Sequence, residues 1–255
     1  MTEKTMEHIT SRQNKLWQYI RRVQTSRSFR YENRIFVAEG TKLYEEAVRW
    51  GALLDTVIFQ EGLSVPIPDG VRAVEVPRDL LCAVSAQESP QGVLFLCRMP
   101  EPKPLFVRPA CMILDGIQDP GNLGTILRTA DALDVDVILS DGCADPYSDK
   151  TVRASMGAVF RVPPVSARKE EILKACERCG IPIAVTAMSE NTENIRNADL
   201  RKAAVVIGSE GRGVCAEYME AAQKRLMIPM NPHCESINAA AAAAIVMWQI
   251  FCSKN

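Results

Sequence analysis

Three stretches of this chain gather residue types able to do chemistry. The first is the turn Asp119-Pro120-Gly121-Asn122, followed six residues later by Arg128. The second is Gly208-Ser209-Glu210-Gly211-Arg212-Gly213 and the third is Ser236-Ile237-Asn238. Glycines let backbone N–H groups approach a ligand closely, and a carboxylate such as Glu210 accepts hydrogen bonds or attracts a cation. Each stretch also has a plain structural reading. Asn122, Ser236 and Asn238 are good helix caps, Arg128 suits a helix surface, and a tight turn needs one or two glycines. No single stretch decides between the two readings.

The elements around them are consistent with a ligand site at strand ends. Cys111–Leu114 is a short apolar run bounded by Asp115-Gly116, as a buried strand is. A helix is expected from near Asn122, because Ile126, Leu127, Ala130 and Leu133 recur at three- and four-residue spacing. Further strands are expected at 135–139, 161–165, 183–187, 204–207 and 225–228, alternating with helices. Such alternation indicates a mostly parallel sheet flanked by helices. The run Ala239–Ala244 follows Asn238 and removes bulk from one helix, as a close contact requires. In the segment 149–160, Ser155-Met156-Gly157-Ala158 permits close packing and Arg153 is a candidate phosphate contact.

Composition narrows the class. The 255 residues are 47% hydrophobic and 24% charged, with a formal net charge of −1. These are globular values, and they give no global attraction to nucleic acid or membrane. Nine cysteines form one lone C-x-x-C pair, Cys176 and Cys179, and four ligands at zinc spacing are absent, so no metal is expected. The start of the chain is polar and no apolar run approaches eighteen residues, so the expectation is a cytoplasmic protein with reduced thiols.

Charge is uneven, however. Residues 11–34 carry Arg12, Lys15, Arg21, Arg22, Arg27, Arg30 and Arg34 against the single acid Glu32. Leu16, Trp17, Ile20 and Val23 sit at helical spacing, so the basic residues decorate an amphipathic helix and its following loop. Arginine forks match phosphate oxygens, which makes this face a candidate RNA-backbone contact. Pro100, Pro102, Pro104 and Pro109 mark a linker. The expected organisation is a small α/β domain over 1–100, a Pro-rich linker over 101–109 and a second α/β domain over 110–255.

Taken together and in order, Asn122…Arg128, Gly208-x-Glu210-Gly211-x-Gly213 and Ser236-x-Asn238 resemble the SpoU (TrmH-type) family of SPOUT RNA methyltransferases. Ser155-Met156-Gly157-Ala158 and Ile228-Pro229-Met230 extend the match, which covers 114–244. The first hundred residues, especially 36–43, look like that family's ribosomal-protein-like substrate-binding domain. The resemblance implies a C-terminal trefoil knot, bound S-adenosylmethionine and a homodimer through the SPOUT domain. Its cofactor positions match Thr186, Gly208, Glu210, Gly211, Ile228, Met230 and Ile237. Its catalytic positions match Asn122, Arg128, Glu210, Ser236 and Asn238. A guanidinium is a poor base, so the role implied for Arg128 is to orient a ribose 2′-hydroxyl and stabilise the developing charge. Arg12, Arg21, Arg22, Arg27, Arg30 and Arg153 are the expected RNA contacts, with ribosomal RNA favoured over transfer RNA. The chain departs from the family at Asn231-Pro232-His233-Cys234-Glu235, where relatives often have a glycine-containing loop.

Two rivals fit less well. A dinucleotide-binding domain needs G-x-G-x-x-G, and Gly116, Gly121 and Gly124 do not have that spacing. A non-catalytic RNA-binding protein leaves Asn122, Arg128, Glu210, Ser236 and Asn238 without a joint purpose.

Overall fold

The structure, a computed structural model, describes residues 6–187, 191–209, 211–231, 233–234 and 236–254. Glu210, expected at the site, lies outside the described residues. The chain divides into two compact units, one of residues 1–101 and 147–161, the other of 102–146 and 162–255.

The first unit contains β1 (Glu7–His8), α1 (Lys15–Thr25), α2 (Arg27–Asn33), β2 (Ile35–Glu39), α3 (Thr41–Arg49), β3 (Leu54–Gln60), β4 (Arg72–Val76), α4 (Arg78–Val84) and β5 (Val93–Arg98). Its mixed five-stranded sheet has the order β1-β4-β3-β5-β2. Alternate residues of β2 feed opposite faces, as a period of two demands. Ile35 and Val37 join Trp17, Ile20 and Val23 of α1. Phe36 and Ala38 join Tyr44 and Ala47 of α3. Asn14 and Ser26 cap α1 and α2 through their side chains, which explains the break in the basic N-terminal segment.

The second unit opens with β6 (Cys111–Asp115), α5 (Pro120–Ala132) and β7 (Val137–Leu139). Residues 147–161, with the short helices α6 (Asp149–Ala154) and α7 (Ala158–Arg161), then belong to the first unit. These residues lie inside the stretch expected as one domain, 110–255. Tyr147, Val152 and Val159 are buried in the cluster that holds Phe36 and Tyr44, a destination that local periodicity does not carry. The second unit continues with β8 (Val165–Ser166), α8 (Lys169–Cys179), β9 (Ile183–Thr186), β10 (Glu193–Asn194), β11 (Ala204–Gly208), α9 (Ala216–Ala221), β12 (Lys224–Met227) and α10 (Ala239–Lys254). The strand expected at 161–165 is displaced to Val165–Ser166, because Pro163-Pro164 cannot donate to a ladder.

All seven strands of this sheet are parallel, in the order β10-β12-β9-β11-β6-β7-β8. Parallel strands covered on both faces read as continuous apolar runs, and β6 and most of β11 are buried throughout. Ile172 and Cys176 of α8 and Tyr218 of α9 pack on one face with Ile113, Val185 and Val206. No described helix is long and apolar enough to cross a membrane.

Candidate active site

A cavity of about 420 Å³ opens at the carboxyl ends of β9, β11 and β12. Ligands in open α/β sheets bind at that end of the strands. Thr186 ends β9, Ile207 and Gly208 end β11, Leu226 belongs to β12, and Ile228 and Met230 follow it. Ser236, Ile237, Ala239 and Ala242 close the other side. The walls are mainly apolar, with polar groups supplied by Thr186, Ser209, Arg212 and Ser236.

The glycine loop owes its shape to backbone approach. A Cβ on Gly208 would stand 2.0 Å from the carbonyl carbon of Gly213, so residue 208 can carry no side chain there. Gly213 adopts φ of 66° and its N–H donates to the Ser209 carbonyl at 2.9 Å. The Arg212 N–H donates to Ser209 Oγ at 3.3 Å. Asp115, at the end of β6, accepts from the Cys215 N–H at 2.8 Å and ties the outgoing chain to the sheet. Burial pushes the Cys215 thiol up to about 11 and raises the Cys143 thiol as well. Neither cysteine is therefore a thiolate at neutral pH.

Five of the expected cofactor residues, Thr186, Gly208, Ile228, Met230 and Ile237, line the cavity together with Ser236. Gly211 does not. Sequence reasoning passed over Ser209, Arg212, Leu226 and the alanines at 239 and 242. Ser209 and Arg212 lie within the glycine motif itself, and the alanine run already signalled a close approach.

Asn122, Arg128 and Asn238 stand outside the cavity lining. The expected cap of α5 is corrected. Asp119 is the N-cap, its Oδ1 accepting from the Asn122 N–H at 2.8 Å, with Pro120 in the first turn. The Asn122 side chain is thereby released from capping, and its Oδ1 accepts from Asn238 Nδ2 at 2.9 Å. Asn238 Oδ1 accepts from the Ala240 N–H at 2.9 Å and the Ala241 N–H at 3.3 Å, capping α10. Arg128 is exposed on α5, two turns on from Asn122.

The basic N-terminal residues divide. Arg12 pairs with Asp79 at 2.8 Å, Arg21 donates to the Ala83 carbonyl, and Arg22 lies 4.1 Å from the centre of the Phe29 ring. Arg27 stands 5.5 Å from the Tyr31 ring centre. Arg30 is a correction. It is 5% exposed, and its Nη1 donates to the carbonyls of Val23 and Gln24 at 2.6 and 2.9 Å. It secures the end of α1 and is not available to a nucleic acid. Arg153 is exposed and 3.6 Å from Asp149.

Residues 109–248 match the SpoU rRNA Methylase family, and residues 14–94 match the MRM3-like substrate binding domain. The chain is 31% identical to the Bacillus subtilis 23S rRNA (guanosine(2553)-2'-O)-methyltransferase RlmP, over 96% of this chain and 99% of that one. It superposes on the crystal structure of an AdoMet-bound rRNA methyltransferase from Sinorhizobium meliloti with a TM-score of 0.85, at 27% identity, covering 96% and 97% of the two chains. The SpoU methyltransferase AviRb from Streptomyces viridochromogenes, in complex with the cofactor AdoMet, gives a TM-score of 0.80 at 25% identity, covering 94% and 99%. A family match across more than half of the chain, joined to a relative similar over nearly all of it, places this protein in the SpoU rRNA methylase family.

Proposed function

We propose that the protein transfers a methyl group from S-adenosylmethionine to a ribose 2′-hydroxyl of RNA, ribosomal RNA before transfer RNA. The observation that carries this reading is the cavity at the ends of β9, β11 and β12, in a chain similar throughout to a ribosomal RNA 2′-O-methyltransferase.

The residues present fit the cofactor. The cavity volume of about 420 Å³ lies within the roughly 300–1,000 Å³ of small-molecule sites. Leu226, Ile228, Met230 and Ile237 offer an apolar slot suited to a planar base. Thr186, Ser209 and Ser236 offer hydroxyls, and Arg212 offers a guanidinium suited to a carboxylate. The missing side chain at Gly208 lets the loop fold close over the strand end. When bound, S-adenosylmethionine supplies a sulfonium methyl for in-line transfer. Arg128 orients the acceptor hydroxyl and stabilises the charge that develops as its proton leaves. Asn122, held by Asn238, positions the start of the helix that carries Arg128. By the family resemblance, Glu210 and Gly211 complete the loop.

The reading extends to assembly and location. The SPOUT domain forms a homodimer in the cytoplasm and carries the C-terminal knot of the family. Supporting the dimer, α10 exposes Ile245 and Trp248, the latter 56% exposed and stacked on Phe251 at 5.8 Å. Titration calorimetry with S-adenosylmethionine tests the cofactor step. Stoichiometric binding is expected, and absence of binding by the folded chain contradicts the reading.

A further inference from the structure

A second cleft, of about 190 Å³, lies wholly within the first unit and shares no lining residue with the cavity at the ends of β9, β11 and β12. It holds roughly six waters at about 30 Å³ each, enough for one nucleobase and too small for a stacked pair. We propose that this cleft seats a single unstacked nucleotide of the RNA, with its base against Leu43 and Met156, its edge on Gln87 and Gln91, and its phosphate on Lys42 and Arg153. The proposal rests on the RNA reading above and deepens it.

The chemistry of the walls is that of single-strand recognition, in which a splayed base meets an apolar surface and amide groups read its edge. Gln91 is fixed in place, its Oε1 accepting from the Thr41 N–H at 3.1 Å and the Thr41 hydroxyl at 3.2 Å. Its amide N–H groups are then left as donors. Among the described residues the Gln87 amide donates to the Glu39 carbonyl at 3.5 Å.

The two carboxylates of the cleft are already engaged. Glu39 accepts from the Ser85 hydroxyl and from the Ala86 N–H at 3.2 Å. Burial raises its carboxyl above the ordinary range. Glu46 is paired with Arg161. The cations remain presented to solvent: Lys42 is exposed, and Arg153 is exposed with Asp149 at 3.6 Å and Glu39 within electrostatic reach.

Met156 supplies the most specific sign. It adopts φ of 49°, a conformation that non-glycine residues rarely take, and is 45% exposed at the rim. Strained residues persist where the surroundings hold them in place, and they cluster at ligand clamps. Here the strain holds an adaptable thioether over the cleft.

The test uses the full chain and three RNA hairpins of one sequence at fixed salt. One is fully paired, one carries a single bulged nucleotide, and one carries an abasic site at the bulge. Binding is read by fluorescence anisotropy, and methyl transfer is measured in parallel. The bulged hairpin is expected to bind about tenfold more tightly than the other two. Met156→Gly, which suits a positive φ and spares the fold, is expected to erase that preference. Lys42→Ala is expected to weaken the bulged and abasic hairpins, which both carry that phosphate, more than the paired one. Equal binding of bulged and abasic hairpins, or a full preference in Met156→Gly, overturns the assignment. If the wild-type chain methylates RNA without preferring the bulge, the cleft assignment alone falls. If it neither binds nor methylates RNA, the RNA reading falls with it.

Discussion

Asn238 Nδ2 donates to Asn122 Oδ1 at 2.9 Å, joining residues 116 positions apart in sequence. The same Asn238 caps α10 through its Oδ1. The two duties separate by substitution. Asn238→Asp keeps the capping oxygen and loses the donor, so turnover should fall about tenfold with the melting temperature nearly unchanged. Asn238→Ala loses both and should also cost about 1 kcal/mol of stability. Thermal melts beside steady-state kinetics distinguish them, and equal behaviour of the two variants contradicts the division of roles.

Arg128→Ala should lower kcat by about 10²–10³-fold, the usual loss on removing one preorganised donor to developing charge. Cofactor affinity should be almost untouched, since Arg128 is outside the cavity lining. Single-turnover rates and calorimetry on one preparation check this. A normal rate removes Arg128 from the mechanism.

Gly208→Ala should abolish cofactor binding while the sheet stays folded. Its Cβ would meet the Gly213 carbonyl carbon at 2.0 Å, and backbone must move to admit it. Gly211→Ala should be tolerated, because a Cβ there meets nothing within 4 Å. Similar affinities in the two variants contradict the loop geometry.

Burial raises the Glu39 carboxyl above its ordinary value of 4.5. The folded state therefore holds this proton more tightly than the unfolded state does. Stability is greatest below the ordinary value and declines as pH rises through the raised one. Glu39→Gln removes this titration and should flatten the decline, leaving the slope due to Asp149, which burial raises in the same direction. Urea unfolding followed as pH rises from the ordinary carboxyl value checks the sign. An unchanged slope refutes it.

Arg30→Met should destabilise the first unit by about 1–3 kcal/mol, since the Val23 and Gln24 carbonyls lose a charged donor. RNA affinity and its salt dependence should hold at temperatures where the variant is folded. A reduced salt slope would return Arg30 to the RNA face.

The central strands and the cavity were legible because parallel strands leave uninterrupted apolar runs, and because glycine at 208 is demanded by a close approach. Other features depended on distant partners. Asn122 read as a cap because capping is a local property, while its contact with Asn238 appears only when the termini of α5 and α10 meet. Arg30 read as a surface charge because its helical spacing is indistinguishable from that of Arg22 or Arg27. The attachment of 147–161 to the first unit rests on Tyr147 and Val159 finding Phe36, which no local period encodes. The cleft beside Met156 was hidden for the same reason, since its walls come from segments more than a hundred residues apart.

The most direct test of the central claim is methyl transfer from radiolabelled S-adenosylmethionine to unmodified ribosomal and transfer RNA, followed by alkaline hydrolysis. A 2′-O-methyl group protects its own phosphodiester. Label in alkali-resistant dinucleotides, from ribosomal RNA before transfer RNA, is the expected result. Label released in mononucleotides would mean that the methyl goes to a base and would contradict the ribose reaction.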